Sequence, residues 1–175
     1  HEKAFKDEEA KKLGKCLQQK TELLTLSLVT NHRNPVSFSD EGMEAILEGI
    51  KDLPFLTSLA IEGHKIGRLG GLSLLKLTQL QELSLPYTGL KDNDAQTLAV
   101  RLTQLQRLNL AGNAIETSGA SILLNRLSHL QAFNLHRNKC VLPPNKDKTW
   151  FLEQIKKHPT LAVLDLSYGG IKTSL

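Results

Sequence analysis

The sequence predicts an α/β solenoid in which short parallel strands alternate with short helices. Three observations predict it: a leucine pattern occurs six times, its copies recur at a nearly constant interval, and the apolar period changes within each copy. A period of two indicates a strand with one buried face, and a period of 3.6 indicates a helix. A fixed repeat length in this range is typical of units that stack into one continuous core.

The six copies extend along nearly the whole chain of 175 residues. In register they read LLTLSLVTN from Leu23, LTSLAIEGHKI from Leu56, LQELSLPYTGL from Leu80, LQRLNLAGNAI from Leu105, LQAFNLHRNKC from Leu130 and LAVLDLSYGGI from Leu161. Successive copies begin 33, 24, 25, 25 and 31 residues apart, so the basic period is 24–25 residues. The two longer intervals predict loop insertions, because Pro35, Pro143 and Pro144 interrupt regular structure there.

The fourth copy shows how one repeat is built. Leu108 and Leu110 alternate about one exposed residue, which predicts a short strand, and Leu105 lies at the bend that enters it. Asn113 follows where the chain turns, and a buried amide there satisfies backbone groups that have left the sheet. We expect the same structural role at the equivalent positions of other copies, which are Asn31, His64, Thr88 and Asn138.

Apolar residues at helical spacing lie between the strands. The segment TSGASILLNRL places Ala120, Leu123, Leu124 and Leu127 on one side, and DNDAQTLAVRL and SDEGMEAILEGI follow the same spacing. The short period leaves room for helices of about two to three turns. At one helix start Asp92 and Asp94 are expected to cap the helix rather than to act as a catalytic pair.

The pattern LxxLxLxxNxL resembles the leucine-rich repeat, and the resemblance covers essentially the whole chain. Gly119–Ala120, six residues after Asn113, resembles the ribonuclease-inhibitor-like subclass, and the period of 24–25 residues resembles the GALA-type repeats of bacterial effectors. The resemblance implies a curved right-handed horseshoe, with parallel strands on its concave side and short helices on its convex side.

Residues 1–20 lack the strand pattern but carry apolar residues at helical spacing, at Phe5, Ala10, Leu13, Cys16 and Leu17. We expect an N-terminal capping helix, or partial repeat, followed by one repeat domain over residues 21–175. The sequence ends at GGIKTSL, just past the sixth strand pattern, where no polar cap closes the stack. We therefore expect the array to be truncated at that end.

Composition and motifs argue against several functions. Hydrophobic residues make up 40% of the chain, the formal net charge is +4, and no apolar run has the length of a membrane span. Cys16 and Cys140 do not form a disulfide framework, which favours a reducing cytoplasmic compartment, or the host cytosol for a secreted effector. No metal, phosphate or nucleophile motif occurs, so we expect no enzyme activity, no cofactor and no metal site. Cys140 stands in an apolar slot and is expected to be buried and inert.

The strand register predicts which side chains face outward on the concave side: the third, fifth, seventh and eighth of each copy. Tyr and Arg, the residue types in which interface energy concentrates, occur there in the C-terminal half. We therefore predict that an unidentified protein partner binds Glu82, Tyr87, Arg107, Asn109, Asn134, His136, Arg137, Asp165 and Tyr168. Glu82 and Arg107 are lateral neighbours, and they also suit a simple ion pair.

Three function classes fit these features. The first is a protein-interaction module, whose period and Gln-rich LTQLQ units resemble bacterial effector repeats that engage host proteins. The second is the repeat region of an intracellular sensor or regulator, similar to nucleotide-binding innate receptors. The third is nucleic-acid binding through the lysine-rich helices, which is disfavoured because no aromatic residues alternate with the basic ones. The sequence does not predict the oligomeric state.

Overall fold

Six parallel strands form one open sheet in chain order, so each strand pairs with the strand of the next repeat. The structure is a computed structural model that describes residues 6–29, 39–140 and 148–167. The strands are β1 (Thr25–Val29), β2 (Ser58–Glu62), β3 (Glu82–Ser84), β4 (Arg107–Asn109), β5 (Ala132–Asn134) and β6 (Val163–Asp165). Asn31, Tyr168 and the prolines of the two predicted insertions lie outside the described residues.

Six helices of the described residues alternate with these strands. They are α1 (Asp7–Leu17), α2 (Asp40–Ile50), α3 (Arg68–Leu74), α4 (Asp92–Arg101), α5 (Thr117–Arg126) and α6 (Lys148–Lys157). Most contain 10 or 11 residues, about three turns, whereas α3 contains seven. The predicted α/β solenoid is therefore confirmed: one parallel sheet alternates with a layer of short helices.

The core lies between the sheet and the helix layer, and the leucines of the repeat pattern build it. Leu105, Leu108 and Leu110 are at most 1% exposed, and Leu108 sits beside Leu83 and Phe133 in the register of the sheet. Each repeat thus contributes one equivalent layer of apolar side chains. Burial of a leucine side chain stabilises the fold by roughly 1.5–3 kcal/mol, so each layer contributes substantially.

Asn113 joins two repeats through backbone groups at the end of β4. Its Oδ1 accepts from the backbone N–H groups of Thr88 (3.1 Å) and Leu90 (3.0 Å). Its Nδ2 donates to the carbonyls of Leu85 (2.7 Å) and Leu110 (2.9 Å). A single buried amide therefore pairs four backbone groups that have no partner in the sheet.

The other repeat positions equivalent to Asn113 use different chemistry. Asn138 repeats the arrangement, accepting from the Ile115 N–H at 3.0 Å and donating to the Leu110 carbonyl at 2.7 Å. The hydroxyl of Thr88 donates to the carbonyl of Leu85 at 2.8 Å, and Nδ1 of His64 lies 3.0 Å from the carbonyl oxygen of Glu62. The Thr88 hydroxyl also donates to Oδ1 of Asn113 at 3.3 Å, whereas the amides of Asn113 and Asn138 reach backbone groups of the neighbouring repeat.

Carboxylates at the start of one helix cap the next helix. Asp7 accepts from the backbone N–H of Ser39 at 2.6 Å, and Asp40 accepts from that of Gly70 at 2.8 Å. Asp92 likewise accepts from the N–H groups of Glu116 (2.8 Å) and Gly119 (3.1 Å). Such bonds pair N–H groups that have no partner within their own helix.

The capping carboxylate explains the Gly119–Ala120 signature seen in the sequence. A Cβ atom at Gly119 would lie 2.4 Å from Oδ1 of Asp92, so any larger residue would displace the capping carboxylate. The expectation that Asp92 caps its own helix is wrong, because its carboxylate reaches the following helix. Asp94 does close its own helix, accepting from the Lys91 N–H at 2.8 Å.

Cys16 does not lie on the buried side of α1, contrary to the sequence-based expectation. The buried residues of α1 are Ala10, Gly14 and Leu17, which recur at helical spacing, and Cys16 is exposed beside that stripe. Phe5 lies outside the described residues. Within the described residues, no helix combines the length and apolar character that a membrane span needs.

A polar cluster fastens α3 to α2. The carboxylate of Glu48 accepts from the hydroxyl of Ser73 at 2.6 Å, lies 2.9 Å from Nζ of Lys51, and also pairs with Lys76. Hydrogen bonds from Lys76, Ser73 and Lys51 lower the pKa of Glu48 to about 2. The ionised carboxylate is therefore the form that holds the two helices together.

We predict that Asn113→Ala lowers the free energy of unfolding by about 1–3 kcal/mol, because it leaves buried backbone groups unpaired. Chemical denaturation monitored by circular dichroism measures the change. Asn125→Ala is the control, since Asn125 is exposed on α5. Equal stability of the Asn113 variant and the control would contradict the role given to this amide.

We predict that Glu48→Gln costs about 1 kcal/mol of stability at pH 7 and nothing near pH 2. The folded pKa of about 2 lies below the ordinary 4.5, so the contribution is complete above about pH 4.5 and is lost as pH falls towards 2. Denaturation of both proteins across this range measures the difference. Glu44→Gln, on the same helix, is the control, and a pH-independent difference for Glu48→Gln would refute the prediction.

Candidate functional site

The outward side chains of the sheet form a continuous surface, here called the strand face. It lines a concavity of about 410 Å³. Its outward residues are Ser58, Ala60, Glu82, Ser84, Arg107, Asn109, Ala132, Asn134, Val163 and Asp165. The parallel register places the third positions of successive repeats in one row and the fifth positions in another. Most of these side chains are small, so the surface is open to a large partner.

The row of third positions combines an ion pair with apolar residues. Glu82 and Arg107 form an ion pair, as the sequence analysis suggested from their neighbouring positions on adjacent strands. Ser58 adds a hydrogen bond from its hydroxyl to Glu82 at 3.3 Å. Ala132 and Val163 continue the row, and Val163 is 59% exposed. The charge at the centre of the strand face is therefore balanced, and an apolar patch adjoins it.

The row of fifth positions has a structural role in addition to the binding role predicted for it. The Oδ1 atoms of Asn109, Asn134 and Asp165 each accept from the backbone N–H two residues further on, at 3.0, 2.8 and 2.9 Å. Nδ2 of Asn109 also donates to the hydroxyl of Ser84 at 3.0 Å. These turns fix where each strand ends. The side-chain oxygens are thus already engaged by this chain.

After β2, β3, β4 and β5 the chain enters the left-handed region at the eighth repeat position. Gly63, Tyr87, Gly112 and Arg137 have φ values of 72°, 56°, 66° and 54°. Glycine adopts this conformation without strain, whereas a residue with a Cβ atom is disfavoured by roughly 1–2 kcal/mol. Tyr87 and Arg137 therefore occupy positions that a scaffold alone would fill with glycine.

Tyr87 and Arg137 meet across the intervening repeat. The guanidinium of Arg137 donates to the hydroxyl of Tyr87 at 3.4 Å. The Tyr87 ring covers Gly112, where a Cβ atom would lie 2.2 Å from a ring carbon. Three successive repeats are thereby joined into one surface element, here called the Tyr87–Arg137 bridge. Tyr87 remains 39% exposed, so part of its ring faces solvent.

A polar row adjoins this bridge at the end of β6. Nδ1 of His136 lies 2.6 Å from the hydroxyl oxygen of Ser167, and that hydroxyl donates to Asp165 at 2.6 Å. Hydrogen bonds from Ser167 lower the pKa of Asp165. In a nucleophilic triad the histidine stands between the serine and the carboxylate. Here the serine stands between them, so Asp165 does not orient His136 as a base, and the row is suited to hydrogen bonding.

Two reactive residue types lie in the core rather than on the strand face. Burial raises the pKa of the Cys140 thiol to about 12, which matches the expectation that this cysteine is buried and inert. Burial also lowers the pKa of His64. Across residues 6–29, 39–140 and 148–167, no three His, Cys, Asp or Glu side chains are grouped as metal ligands.

The structure brings most of the predicted binding residues to one region, and it reveals a packing position beside them that the sequence analysis missed. Glu82, Arg107, Asn109, Asn134 and Asp165 lie on the strand face. Tyr87, His136 and Arg137 follow the ends of β3 and β5, and Tyr168 lies outside the described residues. The missed residue is Gly112. Comparison of the eighth positions reveals it, because Tyr87 and Arg137 replace the glycine found at Gly63 and Gly112.

Comparisons with known proteins identify the repeat type. A leucine-rich repeat family model matches residues 102–123. An internalin (InlF) from Listeria monocytogenes shares the fold at a TM-score of 0.59 and 24% identity, over 87% of this chain. Internalin C2 from the same organism has a TM-score of 0.52 and 16% identity, over 85% of this chain and 73% of its own. A search of curated proteins gave no match.

The chain spans 44% of the length of the InlF structure. At these identities the two internalins show a shared fold, the leucine-rich repeat solenoid, and nothing more specific. The family-model match covers most of the fourth repeat, including Gly112 and Asn113.

We predict that Gly112→Ala lowers the free energy of unfolding by about 2 kcal/mol, because it adds both left-handed strain and a clash with the Tyr87 ring. In a Tyr87→Gly background the clash is absent, so the same substitution is expected to cost about 1 kcal/mol. A double-mutant cycle by chemical denaturation measures this difference. Equal costs in the two backgrounds would show that the ring does not pack on Gly112.

Proposed function

We propose that this leucine-rich repeat solenoid is a non-catalytic protein-interaction module whose partner docks on the C-terminal half of the strand face. The observation that carries the proposal is the Tyr87–Arg137 bridge. It places a tyrosine and an arginine in a backbone conformation that costs free energy in the isolated domain. Strain of this kind is concentrated at functional sites, and these two residue types carry much of the energy of protein interfaces.

The surroundings of the bridge suit a protein partner. Ala132 and Val163 offer apolar area, while His136 and the Glu82–Arg107 pair offer polar contacts. Such a combination of apolar and polar groups is typical of protein interfaces. The small side chains of the fifth row keep the concavity of about 410 Å³ open between them.

We further propose that the partner is a host protein engaged by a bacterial effector of the GALA-like subclass, in the host cytosol. Support for this narrower proposal is the 24–25-residue period and the Gln-rich LTQLQ units. The sensor or regulator alternative differs in the domains that would accompany the repeats. A secretion signal in the full-length sequence supports the effector, and a nucleotide-binding domain supports the sensor.

We predict that the triple variant Tyr87→Ala, Arg107→Ala, Arg137→Ala weakens partner binding by about tenfold or more. The partner is first captured with the wild-type domain, and its affinity for each variant is then titrated. The matched control replaces one exposed aromatic and two exposed arginines of the helix layer: Trp150→Ala, Arg101→Ala and Arg126→Ala.

Unchanged affinity of the strand-face variant, with both variants folded by circular dichroism, would contradict the proposal. A second outcome also contradicts it. If the captured partner is DNA or RNA and its affinity falls steeply with salt, the domain binds nucleic acid through its basic residues.

A further inference from the structure

The helix layer is interrupted between α3 and α4. Neighbouring helices pack at the α2–α3 and α4–α5 junctions. Among the described residues, however, no Cα atom of α3 lies within 8 Å of a Cα atom of α4. The sheet continues without a break below this gap, because β3 pairs with both β2 and β4. The helix layer therefore consists of two blocks on one continuous sheet.

The gap coincides with a change in the capping residues. Asp7, Asp40 and Asp92 are the first residues of their helices, and each caps the helix that follows. The first residue of α3 is Arg68, which has no acceptor group to offer. The following helix, α4, instead caps itself through Asp94. Among the described residues, no carboxylate at this junction takes the place of those that join α1 to α2, α2 to α3 and α4 to α5.

The two blocks leave an apolar cleft of about 420 Å³ between them. Leu72 and Leu75 line it from α3 and its C-terminal end, and Leu98 lines it from α4. Leu72 is 54% exposed, so much of its side chain faces the cleft and the solvent. At Gly71, which also lines the cleft, an added Cβ atom would meet only Cγ2 of Ile66, at 3.9 Å. The cleft is thus open space that the described residues do not fill.

Charge at the cleft wall is uneven. Arg68 lines the cleft, and within the described part of the chain no carboxylate lies within 4 Å of its guanidinium. On the other wall, the carboxylate of Asp94 accepts a hydrogen bond from the Lys91 N–H at 2.8 Å. A carboxylate of a partner is therefore attracted by Arg68 on the α3 wall and repelled by Asp94 on the α4 wall. The net charge of +4 also favours an acidic segment.

We propose that the cleft between α3 and α4 binds an amphipathic helix of a partner protein, with leucine-type side chains in the cleft and an acidic residue paired with Arg68. At the other junctions of this layer, neighbouring helices pack on each other. A helix bound between α3 and α4 would supply the packing that is absent there. Apolar residues on one helix face, inserted into such a groove, are a common mode of peptide recognition. This site lies on the helix layer, and it does not depend on the function proposed for the strand face.

Two synthetic helical peptides test the proposal. Both carry leucines at positions i, i+3, i+4 and i+7, and they differ only in one flanking residue, glutamate in one and lysine in the other. Fluorescence anisotropy with the labelled peptides gives the dissociation constants. We expect the glutamate peptide to bind about tenfold more tightly, and we expect Arg68→Gln to remove this difference. Equal or tighter binding of the lysine peptide overturns the proposal.

A second set of variants tests the location of the peptide. Gly71→Leu adds a side chain at the cleft, and its Cβ atom meets no backbone atom within 4 Å. We expect this variant to reduce binding at least tenfold while the melting temperature stays equal or rises, because glycine is a poor helix former. If the leucine variant does not fold, Gly71→Ala replaces it, and we expect smaller changes in both peptide binding and melting temperature. Leu72→Gln is expected to weaken binding, whereas Leu152→Gln, 49% exposed on α6, is the matched control and leaves it unchanged.

Undiminished binding to a folded Gly71 variant overturns the proposal. So does self-association in sedimentation experiments that disappears in the Gly71 variants, because the occupant is then a second copy of this chain.

Discussion

Hydrogen bonds that cross from one repeat to the next are the interaction on which the rest of this structure depends. A strand of three residues, such as β4, has few partners of its own and is stable only between two neighbours. Asn113 and Asn138 form hydrogen bonds to the neighbouring repeat beyond the ends of the strands, and Asp92 does so in the helix layer. Each repeat therefore completes the next, and stability is shared along the array.

This dependence leaves most outward positions free to vary. The buried amides of Asn113 and Asn138 hold neighbouring repeats together from within, whereas outward pairs such as Glu82–Arg107 also cross between repeats but remain exposed. Variation at Tyr87 and Arg137 costs conformational free energy, since each residue has a left-handed backbone conformation that glycine adopts without strain. The fifth row shows a mixture of both roles, because Asn109 and Asn134 hold the turns with their oxygens while they border the concavity.

The sequence predicted the fold well because the same leucine pattern occurs in every repeat. Leu108 and Leu110 indicate a strand, and five further copies remove the ambiguity of one short apolar run. What the sequence did not predict depends on contacts between repeats. The target of Asp92 is an N–H group 24 residues away, and the environment of Gly112 is set by a tyrosine 25 residues earlier. Local patterns describe a residue's own turn, so they assigned Asp92 to its own helix and missed Gly112.

The gap between α3 and α4 has a mechanical consequence for the whole array. The curvature of a solenoid follows from the spacing of its helices relative to that of its strands. At the other junctions with a capping aspartate, packed helices and a carboxylate fix that spacing, and the Glu48 cluster adds to it between α2 and α3. At α3–α4 the described helices do not pack on each other and no such carboxylate joins them, so we expect bending of the array to concentrate at this junction. Bending there would change the angle between β3 and β4, and with it the width of the strand face between Glu82 and Arg107.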